Sequence, residues 1–327
     1  MRKTALVLFL AVFFASFILV GCGPQEGDPQ SYRIGIVQHA EHEALDAARE
    51  GFIEALAEEG FVDGENISID IQNALSDTIT NTPIAEGFVA DGVDLILAIA
   101  TPSAQAAYNV TKEIPIVITA VTDPVDAGLA ESLEKPGTNV TGTHDMNPVK
   151  DQLDLLLEIF PDATRIGVIF NSSEDNSLVQ VEILEEESAL AGLTVVKAPV
   201  TTTGEVSDAA ESLLGKVDVI YVPTDNTVVD AISSVIKVSE EHLIPVIPGE
   251  ASCVKAGALA TIGIDYSVLG YQTGKMAAKI LRGEAEPATM PIEGQSKYSI
   301  AVNKATAAEF KVTLPQSLLE RADEIIE

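Results

Sequence analysis

The residues best suited to chemistry stand in short polar clusters, each directly after an apolar, strand-like run. Gln38-His39-Ala40-Glu41-His42 follows the first run. Thr101-Pro102-Ser103 and Thr119-Ala120-Val121-Thr122-Asp123 follow the third and fourth. Asn171-Ser172-Ser173-Glu174, Pro223-Thr224-Asp225-Asn226 and Gly249-Glu250 close three runs in the second half. Open α/β sheets bind ligands beyond the carboxyl ends of their strands. These tips therefore nominate Gln38, His42, Thr101, Ser103, Thr122, Ser172, Ser173, Thr224, Asp225, Asn226 and Glu250 as ligand-binding residues. Hydroxyls and free N–H groups at a helix start, as at Thr101 and Ser103, suit a carboxylate. Asp225 stands where a buried acceptor for an ammonium or a hydroxyl would stand. One lobe holding a carboxylate and the other an amine would make an amino acid the ligand. Ser, Thr and Asp at such places are also preferred helix caps, so the set is informative where no single member is.

Catalytic and cofactor signatures are missing. No G-x-G-x-x-G follows the first strand and no G-x-S-x-G elbow occurs. Gly270-Tyr-Gln-Thr-Gly-Lys275 imitates a phosphate loop, with one residue too few between its glycines and Met276 in place of Ser or Thr. His39, His42, His144 and His242 lack metal-site spacing, and His39 and His42 with Glu41 and Glu43 offer only a weak metal cluster. The expectation is no catalytic residue, no cofactor and no metal. A hydrolase on the same scaffold has no supporting motif, and a racemase would need two cysteines where lipidation of Cys22 leaves Cys253 alone.

Positioning these tips requires alternating strands and helices. Strands are expected at 33–37, 67–71, 95–99 and 116–118, with helices at 44–59, 78–90 and 103–112 between them. The pattern restarts near residue 147. Helices are expected at 148–159, 175–191, 206–214 and 226–241, and strands at 165–170, 193–197, 217–222, 245–247 and 258–264. A long helix over 266–282, a strand over 298–302 and a terminal helix over 316–326 complete the chain. This is an α/β protein of two Rossmann-like lobes with parallel sheets. The joints are expected at 136–143 and after Asp265, giving a multi-strand hinge with a cleft. The expected boundaries are 32–142 plus 266–292 for lobe 1 and 143–265 plus 293–327 for lobe 2.

Composition narrows the partners. Among 327 residues, 19 Lys and Arg face 50 Asp and Glu, a net charge of −31. So acidic a chain lacks the basic face that nucleic acid or an anionic membrane requires. At 46% hydrophobic residues it is too apolar for an acidic disordered chain. Arg2 and Lys3 precede an uncharged stretch, Ala5 to Val20, which is short for a membrane span and fits a signal sequence. Residues 1–21 are expected to be removed as a signal peptide. Cys22 is the expected lipidation site, and 22–31, rich in Gly and Pro, the tether. Cys253 is expected to be a small buried hydrophobe. A monomer is expected.

Leu19-Val-Gly-Cys22 resembles the bacterial lipobox. The body, 33–327, resembles the ABC-transporter substrate-binding family with a periplasmic-binding-protein type I fold. Ile34-Gly-Ile-Val-Gln38, Glu41-His42, Thr101-Pro-Ser-Ala-Gln105, Asn139-Val-Thr-Gly142, Arg165-Ile-Gly-Val-Ile-Phe-Asn171 and Val217-Asp-Val-Ile-Tyr-Val-Pro-Thr-Asp-Asn226 carry the likeness. Glu41-His42, Asn171-Ser-Ser-Glu174 and Pro223-Thr-Asp-Asn226 are similar to binders of tryptophan, tyrosine or phenylalanine. The resemblance implies an extracytoplasmic, lipid-anchored receptor that hands an aromatic amino acid to an ABC permease and its ATPase. With no Trp in the chain, Tyr108, Tyr221, Tyr266 and Tyr271 are the expected ring partners. Ala251-Ser-Cys-Val254 departs from the family pattern in lacking a further acid or amide. A sugar or nucleoside ligand, or presentation of the ligand to a membrane signalling protein, is the alternative within the same fold.

Overall fold

The computed structural model describes residues 31–327. The expected signal peptide, Cys22 and all but the last residue of the tether lie outside the described residues. Lobe 1 begins with β1 (Tyr32–Gln38), α1 (Glu43–Glu58), β2 (Ile67–Asn73), α2 (Thr78–Asp91), β3 (Leu95–Ile99), α3 (Thr101–Val110), β4 (Ile116–Val121) and β5 (Val140–His144). Lobe 2 follows with α4 (Val149–Ile159), β6 (Arg165–Asn171), α5 (Asp175–Leu190), β7 (Thr194–Val200), α6 (Val206–Ser212), β8 (Val219–Val222), α7 (Asn226–Asp230), α8 (Ile232–His242), β9 (Val246–Pro248), α9 (Ala251–Lys255) and β10 (Ala260–Gly263). The chain then returns to lobe 1 as α10 (Tyr266–Leu281) and β11 (Glu293–Gly294). It ends in lobe 2 with β12 (Ser299–Asn303), α11 (Lys304–Glu309), α12 (Gln316–Arg321) and β13 (Glu324–Ile326).

The lobe 1 sheet runs β11-β5-β4-β3-β1-β2, all parallel. Lobe 2 has a parallel sheet, β7-β6-β8-β9, and a three-stranded sheet, β10-β12-β13, whose β10–β12 pair is antiparallel. Helices cover both faces of each parallel sheet, which is why central strands such as Leu95-Ile-Leu-Ala-Ile99 are apolar at every position and wholly buried. Leu95, Leu97 and Ile99 pack toward α1 and α10, whereas Ile96 and Ala98 pack toward α2 and α3. Cys253 lies buried as a free thiol in the apolar core of lobe 2.

Three segments cross between the lobes. They fall at 145–148, 264–265 and 295–298, because β5 extends to His144 and β11 reaches Gly294, both in the lobe 1 sheet. The first lobe thus runs past the expected ends at 142 and 292. The crossing is braced on the lobe 2 side by a buried network. Asn147 donates to the Thr224 hydroxyl at 3.2 Å, and Gln152 donates to Asn147 Oδ1 at 3.2 Å and to the Ile262 carbonyl at 2.8 Å.

The stretch expected at 136–143 as a joint instead runs into β5 of the lobe 1 sheet, and two further elements differ from the sequence expectation. The helix expected over 226–241 is broken at Ala231, whose ψ of 19° leaves the helical range. The tail helix stops at Arg321, and Glu324–Ile326 pairs in parallel with β12.

Candidate functional site

Both parallel sheets have the strand order 2-1-3-4, which puts a topological switch beside the first strand of each lobe. The carboxyl ends of the two sheets face each other. Between them lies a narrow cavity of about 10 Å³. From lobe 1 it is lined by His42, which precedes α1, by Ala120 near the end of β4 and Thr122 just after it, and by Tyr266 at the start of α10. Asp145 enters from the first crossing segment. Asn176, Thr224, Asp225, Asn226 and Glu250 complete it from lobe 2.

Of the sequence candidates, His42, Thr122, Thr224, Asp225, Asn226 and Glu250 meet at this cavity. Gln38, Thr101, Ser103, Ser172 and Ser173 do not line it. Gln38 is buried and donates to the Ala40 carbonyl and to Asp46 while accepting from Arg49. The Ser103 hydroxyl donates to Asn81 Oδ1 at 2.7 Å, and the Asn81 amide bonds His39 Nδ1 at 3.0 Å. That chain ties β1, α2 and α3 together, and burial holds His39 below the usual imidazole range. Thr101 Oγ1 is buried without a partner, whereas Ser172 and Ser173 lie on the surface. Among the tyrosines, Tyr266 alone lines the cavity. Tyr221 is sealed in the lobe 2 core against Gln152, Tyr271 bonds Glu58 on the surface, and Tyr108 sits under Lys112.

The electrostatics of the lobe 2 wall rest on Glu174. Its carboxylate accepts six hydrogen bonds, from Asn171, Asn176, Asn226 and Thr227, at 2.6–3.2 Å. Asp225 caps α7: Oδ1 accepts from Val228 N–H at 2.8 Å, and Oδ2 accepts from Asn171 N–H and, at 2.6 Å, from the Ser177 hydroxyl. Burial, with the Glu174 charge beside it, pushes the Asp225 carboxyl up to about 7.

Asp145, Asn176 and Tyr266 were not among the candidates, although Tyr266 was considered as a ring partner. The Tyr266 hydroxyl donates to Asp145 Oδ2 at 2.7 Å. Asp145 Oδ1 has no partner, and the Thr122 hydroxyl stands near the carboxyl but outside hydrogen-bond geometry. Burial pushes the Asp145 carboxyl up to about 6, opposed by the Tyr266 hydrogen bond and assisted by Glu250. Asn176 Oδ1 and both ring nitrogens of His42 are likewise buried and unpartnered. A buried polar atom without a partner costs about 1–3 kcal/mol. Seven such side-chain atoms occur among the described residues, and four of them belong to this cavity. No lysine or arginine lines it. Among the described residues no group of three or more His, Cys, Asp or Glu could hold a metal.

The lobes touch around the cavity. Ser76 donates to Asp230 at 2.7 Å, Gln105 donates to Asp175 at 2.7 Å, and Lys255 donates to Glu43 at 2.6 Å, each bond joining the two lobes.

Comparison with known proteins extends this picture. The chain is 45% identical over 315 residues to the Tyrosine-binding protein of Clostridioides difficile (strain R20291), covering 93% of this chain and 91% of that protein. A structure of an ABC domain from Streptococcus pneumonia in complex with L-Trp is 38% identical, with a TM-score of 0.88, over 90% of this chain and all 100% of that one. The ligand-free, open structure of a substrate binding protein with adhesive properties from Clostridium difficile is 49% identical over 90% of this chain and 99% of that one, yet its TM-score is 0.69. In the present structure the lobes are bonded to each other across the cleft, a closed arrangement. Residues 33–326 match the family described as ABC transporter substrate binding protein. The chain belongs to that family, whose members are non-catalytic extracytoplasmic receptors that deliver a solute to an ABC permease.

Proposed function

We propose that this protein captures an aromatic amino acid, tyrosine or tryptophan, between its lobes and presents it in the closed form to the permease and ATPase of an importer. The observation that carries this reading is the inter-lobe cavity with its four unpartnered, buried polar atoms. Such atoms are costly in an empty site and become satisfied by a polar ligand. The Tyr266 ring supplies an aromatic wall, and the tyrosine and tryptophan relatives support a ring-bearing ligand. His42 and Thr122 are available to a carboxylate on the lobe 1 side. Closure is favoured because one ligand contacts both lobes at once. A lipid on Cys22 would keep the receptor at the membrane through the tether.

A thermal-shift series tests the reading. The full chain in detergent, freed of carried-over ligand, is heated with each of the twenty amino acids, common sugars and nucleosides. At 100 times its dissociation constant a ligand adds about 2.7 kcal/mol. Shifts confined to tyrosine, tryptophan or phenylalanine are expected. A shift with sugars or nucleosides alone overturns the assignment.

A further inference from the structure

Three carboxylates, Asp145, Asp225 and Glu250, line the closed cavity with no lysine or arginine among them. The carboxylates are not equivalent. Asp225 accepts three hydrogen bonds from its own lobe, from Asn171, Ser177 and Val228, with both oxygens engaged. Glu250 accepts from the Ser252 hydroxyl and has His42 Nδ1 at 4.0 Å. Asp145 accepts from the Tyr266 hydroxyl and has the Thr122 hydroxyl near its carboxyl, while its Oδ1 is buried without a partner. It stands on a crossing segment, where either lobe can reach it. A like-charged set buried this closely is stable when empty only if part of its charge is cancelled.

We infer that Asp145 is the acceptor for the ligand's ammonium, and that a proton and the ammonium compete for this one carboxylate. The inference rests on the amino-acid reading above and makes the cationic group, rather than the ring, the condition for closure. The titratable groups that face Asp145 are Tyr266 from α10, His42 from the start of α1, Glu250 from the start of α9 and Asp225 from the loop after β8. Glu174 and His39 stand behind them. A carboxyl held at about 6 by burial is mostly ionised at pH 7.5 and mostly protonated at pH 5. The protonated form cannot pair with an ammonium, so affinity falls as pH drops through this range, by about tenfold between pH 7.5 and pH 5.

Calorimetric titration of the full chain in detergent at both pH values tests this. The ligands are L-tyrosine, L-tryptophan, their N-acetyl derivatives, the remaining amino acids, glucose and adenosine. The expected result is tenfold weaker binding of the free amino acid at pH 5 and at least a hundredfold loss with the N-acetyl derivative. In Asp145→Asn, affinity falls and the pH dependence disappears while the melting temperature is kept. Equal binding of the N-acetyl derivative overturns the inference. So does a wild-type pH slope retained in Asp145→Asn, which would place the proton on Asp225, Glu250 or His42. Binding only of a non-aromatic amino acid, with the pH slope present, removes the aromatic reading and keeps this one. Binding of glucose or adenosine alone, or of nothing in the set, removes both.

Discussion

The joint between α1 and α10 gives the sharpest stability prediction. The two helices meet backbone to backbone. A Cβ on Gly270 would lie 1.9 Å from the Ala48 carbonyl oxygen, and one on Gly274 would lie 2.5 Å from that of Phe52. Ordinary contact begins near 3.4 Å, so Gly270→Ala requires the helices to part by about 1.5 Å. The obstacle is main chain on a buried helix and cannot swing aside as a side chain would. Two effects compete. Alanine in a helix interior gains about 1 kcal/mol over glycine. Overpacking of a well-filled core costs roughly 1–3 kcal/mol, and more where backbone must move. We expect the second to win, with a net loss of about 3 kcal/mol and a melting temperature lower by roughly 6–12 °C. Because α10 begins with Tyr266, which holds Asp145, ligand affinity falls too. Urea unfolding followed by circular dichroism measures the first effect and calorimetry the second. Gly87→Ala is the control. It sits within α2 with open space around its would-be Cβ, and there the propensity gain stands alone, so stability should rise. A Gly270→Ala protein as stable as the parent would refute the close-packing account.

Three further outcomes follow from the site. Ala100, at φ 79° and ψ 156°, occupies backbone space that suits only glycine. Ala100→Gly should raise stability by about 1 kcal/mol, read from the urea midpoint, and an unchanged or lower midpoint contradicts that. Glu174→Gln leaves donors of Asn171, Asn176, Asn226 and Thr227 facing an amide. The expected loss is roughly 3 kcal/mol or more, and a loss under 1 kcal/mol would show that Glu174 is not the hub of the wall. Asp145 and Asp225 titrate near 6 and 7, above the usual carboxyl value of 3.8. Groups raised on folding contribute stability that is complete below the unfolded value and is lost as pH rises through the folded one. The ligand-free protein should therefore melt higher at pH 5 than at pH 8, and a flat profile counts against burial of both carboxyls.

The alternation of elements was legible because the central strands, such as Leu95–Ile99, are unbroken apolar runs and helices such as α1 and α4 keep an apolar face. What the pattern could not show was side-chain direction at the tips. Ser103 and Gln38 follow the right strands but turn into their own lobe, where Asn81 and Arg49 await them. Asp225 is a cap and a cavity residue at once, which composition cannot separate. Asp145 stands in a crossing segment rather than in a strand-to-helix tip, so no periodic signal marked it. A carboxylate next to an expected hinge was the available clue. Asn176 was hidden inside a helix start whose neighbours looked equally polar. The break at Ala231 and the pairing of Glu324–Ile326 with β12 depend on distant contacts, which a local reading does not contain.

The order in which the chain visits its two lobes has a consequence for how the molecule can be made. Lobe 1 lacks a helix and an edge strand until residues 266–294 exist, and lobe 2 lacks the strand beside β10 until 299–303 exist. Partners such as α1 and α10 are separated by more than two hundred positions, and contacts of such span slow folding. During synthesis neither half can finish early and wait for the other. A fragment ending at Asp265 would leave the face of α1 that α10 covers bare and β10 unpaired on one side. Neither lobe can be cut out as a working piece.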